Sequence, residues 1–222
     1  MTTFLLLRHA HSEANERGIL AGRISGIELS ETGKLQSSQI AAALGNYRID
    51  RIICSPLQRC RDTIAKTAAL RKKRIFTNVA FIEMNYGSWS GRPLKDLAKE
   101  KDWKKIQKSP STFTFPQGES FLSAAKRIER ELGRLAQQHP KECILIVTHG
   151  DVIKMALQIT NGGALDKFQR FVVDTCSLSE LEWSRGSRFV VRSNVRITKA
   201  KNPKRQRGLV MNRKMLGGGS GV

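Results

Sequence analysis

Two short apolar runs, far apart in the chain, each end on a histidine. Phe4–Arg8 leads into His9, and Cys143–Thr148 leads into His149; the chain has only four histidines. Each run has the length of a buried β-strand. Because ligands bind at the carboxyl ends of parallel strands in open α/β sheets, we expect both rings at one ligand site. An arginine directly before the first histidine indicates a phosphate ligand and not a cation.

The elements that would position these histidines alternate between strand and helix. Ser30 or Thr32 is a plausible cap for the first helix, and Ser55-Pro56 is predicted to open the second. A loop-rich segment, 84–118, is predicted to hold one short helix near Leu94–Ile106. The predicted strands are Thr3–Leu7, Arg51–Cys54, Ile75–Val79, Cys143–Val147, Ser177–Trp183 and Arg188–Val195, and the predicted helices are Lys34–Leu44, 55–70, Ser120–Gln138 and Val152–Ile159.

This alternation predicts an α/β fold, a three-layer sandwich with helices on both faces of a mostly parallel central sheet. The last two strands are joined through Ser184-Arg185-Gly186, which predicts a C-terminal antiparallel hairpin. We expect one domain over residues 1–196.

Charge is distributed unevenly along the chain. There are 39 Lys and Arg against 19 Asp and Glu, a net charge of +20, and no acidic residue follows Glu182. Residues 197–222 are predicted to be a basic, disordered tail. No apolar run approaches the roughly 20 residues that span a bilayer. The start of the chain lacks a signal-peptide pattern, and four cysteines without C-x-x-C spacing are expected to be reduced thiols, so we expect a cytoplasmic protein.

Six motifs in order resemble those of the histidine phosphatase superfamily, which includes cofactor-dependent phosphoglycerate mutase and many small phosphatases. The motifs are Arg8-His9-Ala10-His11-Ser12-Glu13-Ala14-Asn15, Leu29-Ser30-Glu31-Thr32-Gly33, Ser55-Pro56-Leu57-Gln58-Arg59-Cys60-Arg61-Asp62-Thr63, Glu83-Met84-Asn85-Tyr86-Gly87-Ser88-Trp89-Ser90-Gly91, Gly118-Glu119-Ser120 and Val147-Thr148-His149-Gly150. Two positions depart from the family pattern. Ala10 replaces the usual glycine, which costs little unless that residue needs a positive φ. His11 replaces the usual glutamate and would add a titratable group near the pocket rim.

The resemblance implies a metal-independent phosphomonoester hydrolase that needs no cofactor and acts on a small phosphorylated metabolite. Its implied catalytic residues are His9 as the nucleophile that becomes a phosphohistidine, Glu83 as the general acid and then base, and His149. The residues implied to bind phosphate are Arg8, Arg59, Asn15, Ser12 and His149.

Three other functions stay open at this point. A phosphoglycerate mutase-type transferase would bind a small acid, and Tyr86 with Trp103-Lys104-Lys105 loosely resembles such an acid site. A metal hydrolase would use His9, His11 and His149 as ligands. A non-catalytic module would bind nucleic acid or another anionic surface through the basic tail. The oligomeric state and the substrate are not determined by the sequence.

Overall fold

The computed structural model describes residues 1–197, which fold around a single six-stranded sheet. In the order of the sheet, the strands are β3, β2, β4, β1, β5 and β6. Their bounds are Thr2–Arg8 for β1, Arg51–Cys54 for β2, Ile75–Thr77 for β3, Cys143–Thr148 for β4, Ser177–Trp183 for β5 and Arg188–Arg196 for β6.

The pairing of β1 with β4 fixes the position of the two histidines. These central strands are parallel, and Arg8 is opposite Thr148 in their register. His9 and His149 are therefore the first residues beyond the two strand ends, at the same edge of the sheet. β2 is parallel to both β3 and β4, whereas β5 runs antiparallel to β1 and pairs with β6 in the predicted hairpin.

Helices cover both faces of the sheet because the strands alternate two sets of apolar side chains. Leu5 and Leu7 of β1 belong to the apolar cluster that includes residues of α2 and α3, and Phe4 and Leu6 belong to the cluster that includes α6 and α7. The helices are α1 (Glu13–Glu16), α2 (Glu31–Ala43), α3 (Gln58–Leu70), α4 (Leu94–Leu97), α5 (Trp103–Lys108), α6 (Phe121–Gln138) and α7 (Gly150–Thr160). The predicted α/β sandwich and its C-terminal hairpin are confirmed.

Local capping explains one correct N-cap and two helix starts that differ from the predictions, since α2 begins at Glu31 and not at Lys34. Ser30 caps α2, since its hydroxyl accepts a hydrogen bond from the Gly33 amide. The prediction that Ser55-Pro56 opens a helix is wrong: α3 begins at Gln58, and its N-cap, Leu57, has an extended backbone and no side-chain cap. The Ser55 hydroxyl is instead 2.7 Å from Nε2 of His149.

Two further predictions differ in detail. β3 ends at Thr77 and not at Val79, because Asn78 caps a short 3₁₀ turn over Val79–Phe81. The predicted short helix between residues 94 and 106 is two helices, α4 and α5, separated by a turn.

No helix among residues 1–197 is long and apolar enough to cross a membrane. The four cysteines are free thiols, and three of them are buried. The predicted tail lies outside the described residues except for Ile197.

Candidate active site

His9 and His149 lie side by side beyond the central strands. Their ring centroids are 5.3 Å apart with an interplanar angle of 61°. His9 is 4% exposed and His149 is 0% exposed, so both rings are buried away from bulk water.

The hydrogen bond of His9 defines its tautomer. Nδ1 is 2.7 Å from the backbone carbonyl of Ala10, which can only accept, so Nδ1 carries the proton and Nε2 keeps a lone pair. Burial lowers the pKa of His9 well below its usual value, and the nearby Arg59 and Arg8 cations lower it further. His9 is therefore a neutral imidazole with an unprotonated Nε2.

Arg8 and Arg59 bring two cations to His9. Arg8 donates from Nη1 to the carbonyl of Val173 at 2.6 Å, and Arg59 donates from Nη2 to the carbonyl of Gly22 at 2.8 Å. Arg59 is only 2% exposed. Within residues 1–197, neither guanidinium has a carboxylate partner, and both Nε atoms are buried without a hydrogen bond. One buried and one partly buried cation, each with spare donors, form a site for an anion such as phosphate.

Thr63 connects the His9 loop to Arg59. Its hydroxyl accepts a hydrogen bond from the amide of Ala10 at 2.8 Å and donates to the carbonyl of Arg59 at 2.6 Å. The threonine of the Ser55–Thr63 motif thus holds the His9 loop against α3.

His149 lies behind these groups and makes two short contacts. Arg59 donates from Nη2 to Nδ1 at 3.2 Å, so Nδ1 is unprotonated and Nε2 donates its proton to Ser55. Burial lowers the pKa of His149 well below its usual value, and Arg59 is the next cause. Unlike the other predicted site residues, His149 does not line the open cavity in front of His9.

Ser12 and Asn15 form the cap of α1. The Ser12 hydroxyl donates to Oδ1 of Asn15 and accepts from the Asn15 amide, and the Ser12 amide also donates to that Oδ1. Ser12 is 1% exposed. These bonds use Oδ1 of Asn15 and orient its side-chain amide, and both residues line the cavity with His9.

Glu83 enters the same cavity from the loop that follows β3. Its Oε1 accepts a hydrogen bond from the Met84 amide, and Oε2 is 3.9 Å from Nδ1 of His149. Burial, together with the negative charge of Asp151, raises the pKa of Glu83 to about 7, although Arg59 opposes the shift. Glu83 can therefore hold or release a proton near neutral pH.

A partly buried carboxylate, Glu119, supports the Glu83 loop, and the sequence analysis assigned it no role. It accepts from Arg23 at 3.0 Å, from Arg127 at 2.9 Å and from the Asn85 amide at 2.9 Å. The two arginines also donate to the carbonyl of Glu83. The Gly118-Glu119-Ser120 motif thus fixes the backbone on which Glu83 sits.

Asp151 is a second residue that the sequence reasoning missed. It lies in the first turn of α7, two residues after His149, and accepts a 2.8 Å hydrogen bond from the Tyr86 hydroxyl. Its place directly after the Thr148-His149-Gly150 strand end is the signal that could have found it.

The cavity at this site has a volume of about 490 Å³. Arg8, His9 and Arg59 form its charged end, whereas most of the remaining wall is apolar or aromatic. That wall includes Ile19, Leu20, Trp89, Leu94, Trp103, Ile106, Phe115, Phe121, Phe171, Val172 and Val173.

The sequence model of the histidine phosphatase superfamily (branch 1) matches residues 4–196. The chain belongs to the histidine phosphatase superfamily. The predicted family and the enzyme class, a phosphatase, are thereby confirmed.

Similar proteins of this superfamily include phosphoserine phosphatase 1 of Hydrogenobacter thermophilus, which is 27% identical over 197 residues, 88% of this chain and 93% of that protein. Two solved structures have the same fold. One is a putative alpha-ribazole-5'-P phosphatase from Escherichia coli, with a TM-score of 0.80 and 23% identity over 90% of this chain and 99% of that one. The other is a phosphoserine phosphatase from Entamoeba histolytica in complex with 3-phosphoglyceric acid, with a TM-score of 0.78 and 24% identity over 88% and 98%.

The two departures from the superfamily pattern have different outcomes. Ala10 is fully buried and its φ is not positive, so alanine is accommodated without strain, as expected. His11 does not line the cavity that holds His9, but it lines an adjoining one that shares Arg8 and Asn15 with it. Nδ1 of His11 is 2.8 Å from the Ser30 hydroxyl, and His11 is the smallest of the causes that lower the pKa of His9, so its position near the pocket rim stays a prediction. The Ser30 side chain at the start of α2 draws the ring to that side.

The same placement bears on the three-histidine metal site. Because His11 turns toward Ser30, it does not join His9 and His149. Residues 1–197 contain no cluster of three His, Cys, Asp or Glu side chains that could hold a metal ion.

Proposed function

We propose that this histidine phosphatase hydrolyses small phosphomonoesters through a phosphohistidine formed on Nε2 of His9. The observation that carries the proposal is the hydrogen bond from Nδ1 of His9 to the Ala10 carbonyl, which leaves Nε2 unprotonated beside Arg8 and Arg59. A neutral imidazole nitrogen is a nucleophile, and the two guanidinium groups are the positive charge that phosphoryl transfer requires.

In the first step, the Nε2 lone pair of His9 attacks phosphorus while the bond to the ester oxygen breaks. Arg8, Arg59 and the side-chain amide of Asn15 bind the equatorial oxygens, and Ser12 holds Asn15 in place. With the phosphoryl group bound, His149 carries its proton on Nδ1, supported by the Ser55 hydroxyl at Nε2, and donates it as a hydrogen bond to an oxygen of the transferring group. Protonated Glu83 gives its proton to the leaving oxygen, so the alcohol departs neutral.

In the second step, water replaces the alcohol. The Glu83 carboxylate removes a proton from the water, whose oxygen attacks phosphorus as the P–N bond breaks. The bonding electrons return to Nε2 of His9, inorganic phosphate leaves, and Glu83 is again protonated. The pKa of about 7 suits both roles of this carboxyl group.

Several contacts support hydrolysis over a mutase reaction. A mutase-type acid site would need paired cations on the leaving-group side of the cavity, where Lys154 is the one cation among the described residues that line it. Lys104 and Lys105 are exposed and do not line the cavity, and Lys105 pairs with Asp102. Trp103 lines the cavity but stacks on Trp89. The names of two relatives, phosphoserine phosphatase and adenosylcobalamin/alpha-ribazole phosphatase, support a small phosphorylated metabolite as the substrate.

The deciding test is hydrolysis of 4-nitrophenyl phosphate with and without EDTA. We expect activity that survives EDTA, disappears in His9→Ala and persists in His139→Ala, a histidine substitution at the end of α6. Rapid quenching of the wild type should yield a protein-bound phosphate that is stable in base and labile in acid. Activity that requires a metal, or that persists in His9→Ala, would contradict the proposal.

Two predictions from the sequence stay predictions. They are the cytoplasmic location and the binding of nucleic acid or an anionic surface by the basic tail, which lies outside the described residues.

A further inference from the structure

Asp151 is a carboxylate in a cavity that we propose binds a phosphate anion. Its carboxylate lines the same cavity as His9 and would repel a phosphate dianion at close range. It must therefore face another part of the substrate or serve the protein alone. Its side chain is 20% exposed, so a ligand in the cavity can reach it.

The neighbours of Asp151 fix its orientation without using all of its acceptors. The buried Tyr86 hydroxyl donates to Oδ2 at 2.8 Å, and Nζ of Lys154 is 3.6 Å from Oδ1, beyond a hydrogen bond. A carboxylate has about four lone-pair sites. Lys154 already donates to Gln169 at 3.0 Å. Asp151 is thus held in place with acceptor capacity left on the cavity side.

Lys154 also selects the kind of donor that Asp151 can accept. A substrate ammonium beside Asp151 would be repelled by the Lys154 ammonium, which is 3.6 Å from Oδ1. A neutral hydroxyl at the same place would not be repelled. A substrate carboxylate would meet Asp151 itself. Among the residues that line the cavity in the described part of the chain, the cations are Arg8, Arg59 and Lys154, and the first two are at the phosphate end.

The rest of the cavity wall determines which kind of leaving alcohol fits beside the phosphate. Apolar and aromatic side chains, among them Trp103, Ile106 and Phe171, line the same cavity as Asp151. A volume of about 490 Å³ is far larger than a phosphate needs. Such a wall favours an apolar ring or chain on the leaving alcohol.

We infer that Asp151, held by Tyr86, is a specificity residue that accepts a hydrogen bond from a hydroxyl of the leaving alcohol. The substrate class is then a phosphomonoester of a neutral, hydroxylated alcohol with an apolar body, and not that of a small phosphorylated acid. This inference rests on the proposed function.

A matched pair of substrates tests it: adenosine 5'-monophosphate and its 2',3'-dideoxy analogue, with O-phosphoserine as the small acid. For the wild type we expect kcat/KM to be at least about tenfold higher for the hydroxylated nucleotide than for the dideoxy analogue, the effect of one hydrogen bond to a charged group. Phosphoserine should be a poorer substrate than either nucleotide.

The ratio of the two nucleotides within each variant is the readout, because it is independent of a general loss of activity or folding. Asp151→Ala, which removes the acceptor, should bring the ratio close to one, and Tyr86→Phe should lower it in part. Glu129→Gln is the matched control, because Glu129 pairs with Arg188 on the outer face of α6 and does not line the cavity.

Three results would overturn the inference: no preference for the hydroxylated nucleotide, an unchanged ratio in Asp151→Ala, or phosphoserine as the better substrate. Absence of nucleotide hydrolysis by an enzyme that cleaves 4-nitrophenyl phosphate would overturn it as well. Absence of all phosphatase activity would instead overturn the proposed function.

Discussion

The hydroxyl of Ser55 lies 2.7 Å from Nε2 of His149, and both side chains are fully buried. Ser55 also accepts a weak hydrogen bond from the Leu57 amide at 3.4 Å. Because a hydroxyl can donate or accept, Ser55 can stabilise either tautomer of His149. In the structure, Nδ1 of His149 accepts from Arg59 and Nε2 carries the proton. With phosphate bound, Ser55 can donate to Nε2 while Nδ1–H faces a phosphate oxygen.

Ser55→Ala should therefore lower kcat by about tenfold or more, because one tautomer of His149 loses its partner. Inhibition by inorganic phosphate, which depends mainly on Arg8 and Arg59, should change by less than about twofold under the same principle. Ser37→Ala is the control: that buried hydroxyl bonds only to backbone carbonyls of α3, so it should affect stability and not kcat. An unchanged kcat in Ser55→Ala would show that the contact is only structural.

The rate should depend on pH through Glu83. The group must be protonated to act as the acid, so kcat/KM for an alkyl phosphate should fall as pH rises above about 7. The charged or titratable groups that face it are Asp151, which raises its pKa, Arg59 and Arg8, which lower it, and His149 at 3.9 Å.

Asp151→Asn removes the charge that favours the protonated form, so the pKa of Glu83 falls and the descending limb moves to lower pH. The profile of Glu129→Gln should overlay that of the wild type. If the descending limb of the pH profile stays in place in Asp151→Asn, the limb does not report the titration of Glu83 beside Asp151.

Glu83→Gln should act according to the leaving group. An alkoxide needs a proton when it departs, so the loss for an alkyl phosphate should be about 10²–10⁴-fold. 4-Nitrophenolate leaves without help, so the loss for 4-nitrophenyl phosphate should be smaller. Single-turnover rates of the phosphorylation step with the two substrates measure this difference, and equal losses would rule out the role of general acid.

Glu119→Gln should weaken the support of the Glu83 loop. The charged hydrogen bonds to Arg23 and Arg127 would be lost in a site where the carboxylate is only 14% exposed. We expect the free energy of unfolding to fall by about 1–3 kcal/mol, because two partly buried cations lose a charged partner. Urea denaturation measures the change, and Glu129→Gln, which breaks an exposed pair, should cost less than about 1 kcal/mol.

Gly87→Ala should disrupt the same loop sterically. Gly87 has a φ of +53°, and a Cβ there would collide with the carbonyl oxygen of Pro116. We expect a loss of stability of more than about 2 kcal/mol, the sum of strain and displaced backbone. Gly133→Ala is the contrasting control, because a Cβ at that position of α6 meets open space and should stabilise the helix by up to about 1 kcal/mol. Equal melting temperatures for the two variants would contradict this reading.

Sequence patterns were sufficient to predict those features that depend on residues close together in the chain. The apolar runs before His9 and His149 predict buried strands, and the parallel pairing that follows places both rings at one edge. The Ser30 cap and the C-terminal hairpin are likewise written in neighbouring residues. The grouping of Arg8, Arg59 and Glu83 around His9 followed from motifs in order along the chain.

Tertiary structure alone decided the contacts between residues that are distant in sequence. The sequence predicted Ser55 as a helix cap. Its hydroxyl instead forms a hydrogen bond with His149, which is 94 residues away, and α3 begins at Gln58. His11 faces Ser30, and Asp151 meets Tyr86 from another element. Capping and periodicity depend on short-range spacing, whereas a polar side chain's partner depends on which elements pack together. For that reason the sequence determined the fold class and the phosphate-binding end of the site, and the folded chain determined its leaving-group wall.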